Sequence, residues 1–564
     1  MLDGTMPALW LEKAALTHGR AAAWLSLVTL LLFLPGFFTL PPMDRDEPRF
    51  AQATRQMLET GDYVAIRFQD EARNKKPVGI YWLQAGAVRA AETLGWPDAR
   101  SKIWAFRLPS LLGAIGSVLL TYWAALPFMS RRQALVAALL LGSTLLLGVE
   151  ARLAKTDAVV TLTVVAAMGA LARLRLRDER GFANAAIFWT ALAVGILVKG
   201  PITPMVPALA AAILSIHDRS ARWLLPLRPA WGLAWCLLVV APWLVLIGLK
   251  TGGGFFADSI GGDMLGKVAG AKEAHGAPPL SYFAAFWLTA WPMAPFAALA
   301  APFVWRNWRR PASLFVLAWL VPSWLLFELV PTKLPHYVLP LYPAIALGIG
   351  LALDNDRLDL AARWRRLVAM AVPLVAGIVP LAVLAACLIY RIAPVWPFFV
   401  ALFILLAVLG TMIRLIWVRN IQAVLALCPL LSLIVAVLAY STVLTSSMYG
   451  PFAISPRLAQ ASAAVLAQSR ACSALAPATA GFREPSLVFL TRTDLLITDG
   501  TGAAEFLASA ACRIVFIEAA QASAFMTGVP DRRGLHFVER IKGINLNGGK
   551  PLDIEVFVRQ EILP

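Results

Sequence analysis

Apolar runs of about 20 residues recur along this chain as far as residue 445, and that repetition restricts it to one class of fold. A run of that length crosses a bilayer as a helix, because a helix satisfies its own backbone groups where lipid would not. The first covers 22–40. Others follow at 103–126, 133–149, 157–173, 182–198, 202–216, 231–250, 283–305, 311–328, 335–353, 365–391, 394–418 and 421–445. Hydrophobic residues make up 59% of the 564, against about 45–50% in soluble domains. A mainly α, polytopic membrane protein of about 13 spans is expected. The first run is read as an uncleaved span, since no small-residue cleavage site precedes Pro41-Pro42.

Charge orients the spans. The even-numbered connections hold Arg131-Arg132, then Arg173, Arg175, Arg177 and Arg180, then Arg219, Arg222 and Arg228. Later ones hold Arg306, Arg309, Arg310, then Arg357, Arg363, Arg365, Arg366, then Arg414 and Arg419. The short odd-numbered ones carry only Arg152, Lys155, Lys199, Lys333 and Arg391. Cation-rich loops stay in the cytoplasm, so the N-terminus is expected there and the odd loops outside. An odd span count sends residues 446–564 outside too. The net charge of +17 favours anionic lipid surroundings; no basic stripe with interleaved aromatics suggests nucleic acid.

The boundaries read as a membrane catalytic domain over 1–445 and a small α/β domain over 446–564. The first outer loop, 41–102, contains an apolar stretch at 78–94 broken by Gln84, Arg89 and Glu92, which suits an interfacial helix. Loop 251–282 is glycine-rich and suits a flexible lid. In the tail, helices are expected at 458–470, 503–511 and 519–526, and strands at 487–491, 513–517, 537–541 and 554–558. Cys472 and Cys512 are the tail's two cysteines, and an oxidising compartment would pair them.

The unusual polar residues gather in the odd loops. Asp46 and Glu47 precede Pro48 at the start of a helical pattern that Gly61 can close, so they sit where the helix dipole favours carboxylates. Arg49, Arg55, Lys76 and Tyr81 follow in the same loop; Arg152, Lys155 and Asp157 lie in the next outer one. Asp157 is expected to pair with Arg152 or Lys155. Lys199, then Lys333, His336, Tyr337 and Tyr342, complete the set. Cations kept on the side that should be poor in them point to an anion site at the outer membrane surface. Lysine and arginine stabilise charge growing on a phosphate leaving group, and a carboxylate can orient or deprotonate the incoming group. Asp263, Glu273 and His275 are scattered ligand types for a divalent ion, and no metal or other cofactor is expected to be required. A transporter would place its site at mid-membrane between repeats; here no repeat is visible and the polar groups lie at one surface.

Six segments occur in order: Asp46-Glu47-Pro48-Arg49-Phe50-Ala51, Lys76-Pro77, Arg107-Leu108-Pro109-Ser110, Lys155-Thr156-Asp157-Ala158, Lys199-Gly200-Pro201 and Lys333-Leu334-Pro335-His336-Tyr337. Together they resemble the bacterial aminoarabinose (4-amino-4-deoxy-L-arabinose) lipid A transferases, GT-C glycosyltransferases related to the protein O-mannosyltransferases. The resemblance implies a monomeric inner-membrane enzyme that moves aminoarabinose from undecaprenyl phosphate to a lipid A phosphate on the periplasmic face, a modification tied to polymyxin resistance. It makes Asp46 the match to the family's acidic first-loop residue, with Asp44 a second carboxylate nearby. A glycosyltransferase acting on protein or another glycan remains the alternative. A lipid A phosphate is already largely ionised near neutral pH. Asp46 is then expected to orient the donor or hold its amino group rather than remove a proton.

Overall fold

A computed structural model describes residues 6–43, 46–266, 276–444, 447–529 and 533–562. Cα packing divides the chain into two units. One comprises Met1–Phe37, Arg73–Gln84 and Arg107–Ser441; the other comprises Phe38–Ala72, Ala85–Phe106 and Thr442–Pro564.

The first unit is helical. Among the described residues nine helices are long and apolar enough to cross a membrane: Ile103–Ala125, Asp157–Arg177, Phe182–Lys199, Pro229–Thr251, Pro311–Leu329, Pro335–Asp354, Arg363–Tyr390, Trp396–Trp417 and Ile421–Thr442. They match nine of the apolar runs. The other four form shorter pieces: His18–Phe33, Ile202–His217, the pair Arg131–Gly142 and Leu145–Glu150, and the pair Ser281–Thr289 and Ala294–Arg306. Burial separates an inner from an outer set. The Pro335–Asp354 and Asp157–Arg177 helices are 83% and 78% buried, whereas Trp396–Trp417 is 22% buried and turns its apolar surface outward. Apolar side chains facing lipid need no protein partner, so the periphery tolerates this.

Close approach is built with glycine at one decisive place. A Cβ on Gly79 would lie 2.7 Å from the backbone carbonyl of Leu197, so the Gly79–Thr93 helix starts directly against the end of the Phe182–Lys199 helix. The Lys76-Pro77 segment leads directly into that helix start.

In the second unit the Asp46–Thr60 helix ends at Gly61, whose φ of +73° and N–H to Met57 O (2.9 Å) form the expected left-handed cap. A short hairpin follows, β1 (Arg67–Phe68) with β2 (Glu71–Ala72). The tail builds a five-stranded mixed sheet from β3 (Ala476–Ala480), β4 (Leu496–Thr498), β5 (Arg513–Glu518), β6 (Leu535–Ile544) and β7 (Pro551–Arg559), in the order β4-β3-β5-β7-β6. Strand alternation divides its core. Ile514, Phe516, Val556 and Val558 pack with Leu458 and Val465 of the Ile454–Gln468 helix, while Val515, Ile517 and Phe557 pack with Leu507 and Phe525.

Three of the four expected strands are present. The fourth, at 487–491, is a helix, Pro485–Leu490, because Pro485 occupies its first position, where proline's fixed φ suits a helix and its missing N–H costs nothing. The alanine-rich β3 and the three-residue β4 are too short or too weakly patterned to announce themselves.

Cys472 and Cys512 are disulfide-bonded, with Cα atoms 5.6 Å apart, where Ala476 N–H meets Cys512 O beside β5. Thiol alkylation of the unreduced, denatured protein should therefore leave both unmodified while Cys236, Cys387 and Cys428 react. Labelling of all five would contradict the bond.

Candidate active site

Within the helical unit four segments converge on two buried carboxylates. Asp157 opens the Asp157–Arg177 helix, a position the dipole stabilises, and accepts a hydrogen bond from Lys199 Nζ at the end of its own helix. His336 Nε2 lies 3.9 Å from Asp157 Oδ2, and its Nδ1 lies 3.7 Å from Glu150 Oε1. Lys155 Nζ is 3.5 Å from the same Glu150 oxygen. Glu150, Lys155, Asp157, Lys199 and Lys333 are all buried. Lys199 Nζ also sits 5.1 Å over the Tyr337 ring, a favourable cation–π distance. Gln84 Nε2 donates to Ala154 O at 3.1 Å and Ser110 Oγ to Lys155 O at 3.0 Å, fixing the 150–157 loop to its neighbours.

Each charge here has been taken out of water, which costs several kcal/mol per ion unless an opposite charge lies close by. Two carboxylates facing two ammonium groups meet that condition, and His336 completes the cluster. Glu150, Asp157 and His336 each offer one ligand atom, all within 4.8 Å of one another, the spacing a metal ion would need. Lys155 and Lys199 already supply those carboxylates with the positive charge an ion would bring. Of the scattered ligand types noted in the sequence, Glu273 and His275 lie outside the described residues, as does the side chain of Asp263.

In the second unit the first turn of the Asp46–Thr60 helix separates two adjacent carboxylates. Glu47 is buried and accepts the Met43 N–H at 3.1 Å, closing the entry turn in the manner of a capping side chain. Asp46 keeps 47% of its side chain exposed, with Arg49 Nη1 at 4.0 Å. Asp44 lies outside the described residues.

Residues 75–246 match the family model described as dolichyl-phosphate-mannose-protein mannosyltransferase. The chain is 28% identical over 383 residues to the undecaprenyl phosphate-alpha-4-amino-4-deoxy-L-arabinose arabinosyl transferase of Erwinia tasmaniensis, covering 65% of this chain and 66% of the relative. The same-named protein of Aeromonas hydrophila is 28% identical over 335 residues, 56% of this chain and 58% of its own length. The matches thus span less than two thirds of these relatives. The crystal structure of ArnT from Cupriavidus metallidurans bound to undecaprenyl phosphate superposes with a TM-score of 0.71 at 18% identity, covering 95% of this chain and 98% of that one. Its apo form gives 0.72 over 97% and 99%. The chain has the ArnT fold. It is a polytopic membrane protein with a small C-terminal sheet domain, as the apolar pattern implied.

Against that fold, several roles expected from the residue pattern change. Asp157 takes its hydrogen bond from Lys199, because the Phe182–Lys199 helix delivers its last residue to the start of the Asp157–Arg177 helix, while the expected Lys155 adds its charge from beside Glu150. Arg152 is not placed as a phosphate ligand. It is buried, donates Nε to Pro35 O at 2.8 Å and further N–H groups to Leu32 O and Gly148 O, and stacks over the Tyr440 ring at 4.2 Å. Arg55 likewise serves the second unit, bonding Glu59 Oε1 at 2.8 Å and Phe489 O at 3.0 Å. Glu47 caps the turn and leaves Asp46 as the accessible carboxylate. Lys333 Nζ donates to Ala277 O and Val330 O, both at 2.9 Å, and an isolated bridge joins Gly276 to Thr332. Those bonds and Asn74 Nδ2 to Asp258 Oδ2 (2.9 Å) tether the described ends of the expected lid. Tyr342 is fully buried, its hydroxyl 2.6 Å from Thr289 Oγ1, and Tyr81 is buried as well. Lys76 stays half-buried. Glu150 was missed, although a lone carboxylate closing an apolar run is a costly group in a membrane protein and so a signal of a site.

Proposed function

We propose that this chain is an inner-membrane glycosyltransferase that moves 4-amino-4-deoxy-L-arabinose from undecaprenyl phosphate to a phosphate of lipid A, acting as a monomer on the periplasmic face. The observation that carries the reading is the ArnT fold over nearly the whole chain, in which cation-bearing segments converge on buried carboxylates. The cation asymmetry of the loops and the tail disulfide support a cytoplasmic N-terminus and a periplasmic C-terminal domain.

In this reading an ionised acceptor phosphate oxygen attacks the anomeric carbon, and the bond from that carbon to the carrier phosphate breaks. Lys76 stabilises the charge left on undecaprenyl phosphate, while the Glu150–Lys155–Asp157–Lys199–His336 cluster holds the surrounding segments rigid. Asp46 orients the donor or holds its amino group. The chemistry needs an electrophilic carbon, a stabilised leaving group and a positioned acceptor, and asks nothing of a metal.

Binding of undecaprenyl phosphate, followed by native mass spectrometry of the protein in lipid nanodiscs, tests the anion site. Lys76→Ala should weaken retention about tenfold or more, as expected for losing a charge-assisted hydrogen bond to phosphate. Unchanged retention would remove Lys76 from the site.

A further inference from the structure

One surface of the helical unit carries cations that the transfer reaction does not use. Three helices meet at it. The Arg363–Ala369 helix packs against both the Ala294–Arg306 helix and the Trp396–Trp417 helix. Arg366 ties the second of these contacts together, its guanidinium lying 5.1 Å over the Trp417 ring. These helix ends and the connections entering them, 305–310, 354–366 and 414–419, contain nine arginines and three aspartates.

Positive charge at a membrane surface is ordinary, so its partners decide what it can do. In the connections over 131–180 arginines are already matched: Arg132 with Glu12 at 3.6 Å, Arg173 with Glu179 at 2.9 Å and Arg180 with Asp178 at 2.7 Å. At the three-helix end Arg365 takes Asp359. Among the described residues, no carboxylate meets Arg306, Arg309 or Arg310, nor Arg363, Arg366, Arg414 or Arg419. Arg366 is half-buried and its Nε has no acceptor, an unmet donor that favours an incoming oxygen. This end is therefore short of anions.

The aromatic residues show which anion fits. Trp305, Trp308, Trp364 and Trp417, close to these arginines in the chain, are all exposed. Tryptophan settles at the headgroup level of a bilayer, with one end of its ring apolar and the other wet. The Arg363–Tyr390 and Trp396–Trp417 spans leading away from this end turn most of their surface outward, baring Leu374, Leu381, Phe403 and Leu406. A soluble anion would leave that apolar surface uncovered. A phospholipid meets both parts, its phosphate on the guanidinium groups and its acyl chains along the spans. A zwitterionic headgroup would bring its own cation against the unpaired arginines, which favours an anionic one. We infer that the three-helix end is a binding site for an anionic phospholipid, with Arg366 on the helix that joins the other two.

Native mass spectrometry of the full chain in neutral detergent micelles tests this, with dioleoyl phosphatidylglycerol, dioleoyl phosphatidylcholine and inorganic phosphate as probes. Phosphatidylglycerol should be retained about tenfold or more over phosphatidylcholine, and inorganic phosphate should not displace it. Arg363→Gln with Arg366→Gln should weaken phosphatidylglycerol about tenfold or more, the loss of charge-assisted bonds to its phosphate. Arg309→Gln with Arg310→Gln, both at exposed positions, should weaken it too, so the test does not depend on the half-buried Arg366. Arg177→Gln with Arg180→Gln removes as much charge from arginines that already meet Leu126 O and Asp178, and should weaken it less than about twofold. Phosphatidylglycerol should raise the unfolding temperature of the wild type and of this last pair, and not of Arg363→Gln with Arg366→Gln. Equal retention of the two lipids, equal losses in the three double variants, or displacement by inorganic phosphate would overturn the site.

Discussion

Asp46→Asn should lower sugar transfer by roughly 10²–10³-fold, the range for removing one pre-positioned electrostatic group from a transition state. The change keeps the shape of the side chain and removes its charge. Stability should move little, because the side chain is 47% exposed and its interaction with the helix dipole contributes only about 0.3–1 kcal/mol. Glu47→Gln is the contrasting variant. Its carboxylate is buried against the Met43 N–H, so its loss should appear mainly as a lower unfolding temperature. Steady-state transfer and thermal unfolding, measured on both, separate the two roles. Near-normal transfer by Asp46→Asn would take the catalytic part away from this residue.

Lys199→Ala is expected to be the most destabilising single change at the site, by about 3–5 kcal/mol, because it strands Asp157 as a buried carboxylate without its principal partner. The His336 imidazole at 3.9 Å is too distant to replace a direct hydrogen bond. Asp157→Ala in the Lys199→Ala background should restore much of the lost stability, since both charges then leave together. Thermal unfolding of the two single variants and the double variant gives the coupling energy directly. Additive losses would mean that the two residues do not stabilise one another, and that Lys199 owes its position to something else.

Much of this architecture was legible because hydrophobic length is a coarse signal that survives without tertiary information. Among the described residues, nine long helices follow their apolar runs within a few residues. The broken pairs at 131–150 and 281–306 read as single runs because Thr144 and Pro292 interrupt the helix without interrupting its apolar character. The candidate site was legible as a set of residues and not as a set of partners. Lys155, Asp157, Lys199 and His336 all stood out, yet which cation meets which carboxylate depends on helix packing, including the Gly79–Leu197 approach that no spacing rule reveals. Arg152 and Arg55 show the opposite error. Their charge suggested a ligand, but the folded chain offers them carbonyl oxygens that only the structure brings within reach.

Transfer itself is the most direct measurement. The purified chain in nanodiscs, given undecaprenyl phosphate-α-4-amino-4-deoxy-L-arabinose and lipid A, should yield lipid A heavier by one aminoarabinose residue for each phosphate modified, read by mass spectrometry. Lipid A of unchanged mass, recovered beside intact donor from protein shown to be folded, would contradict the account.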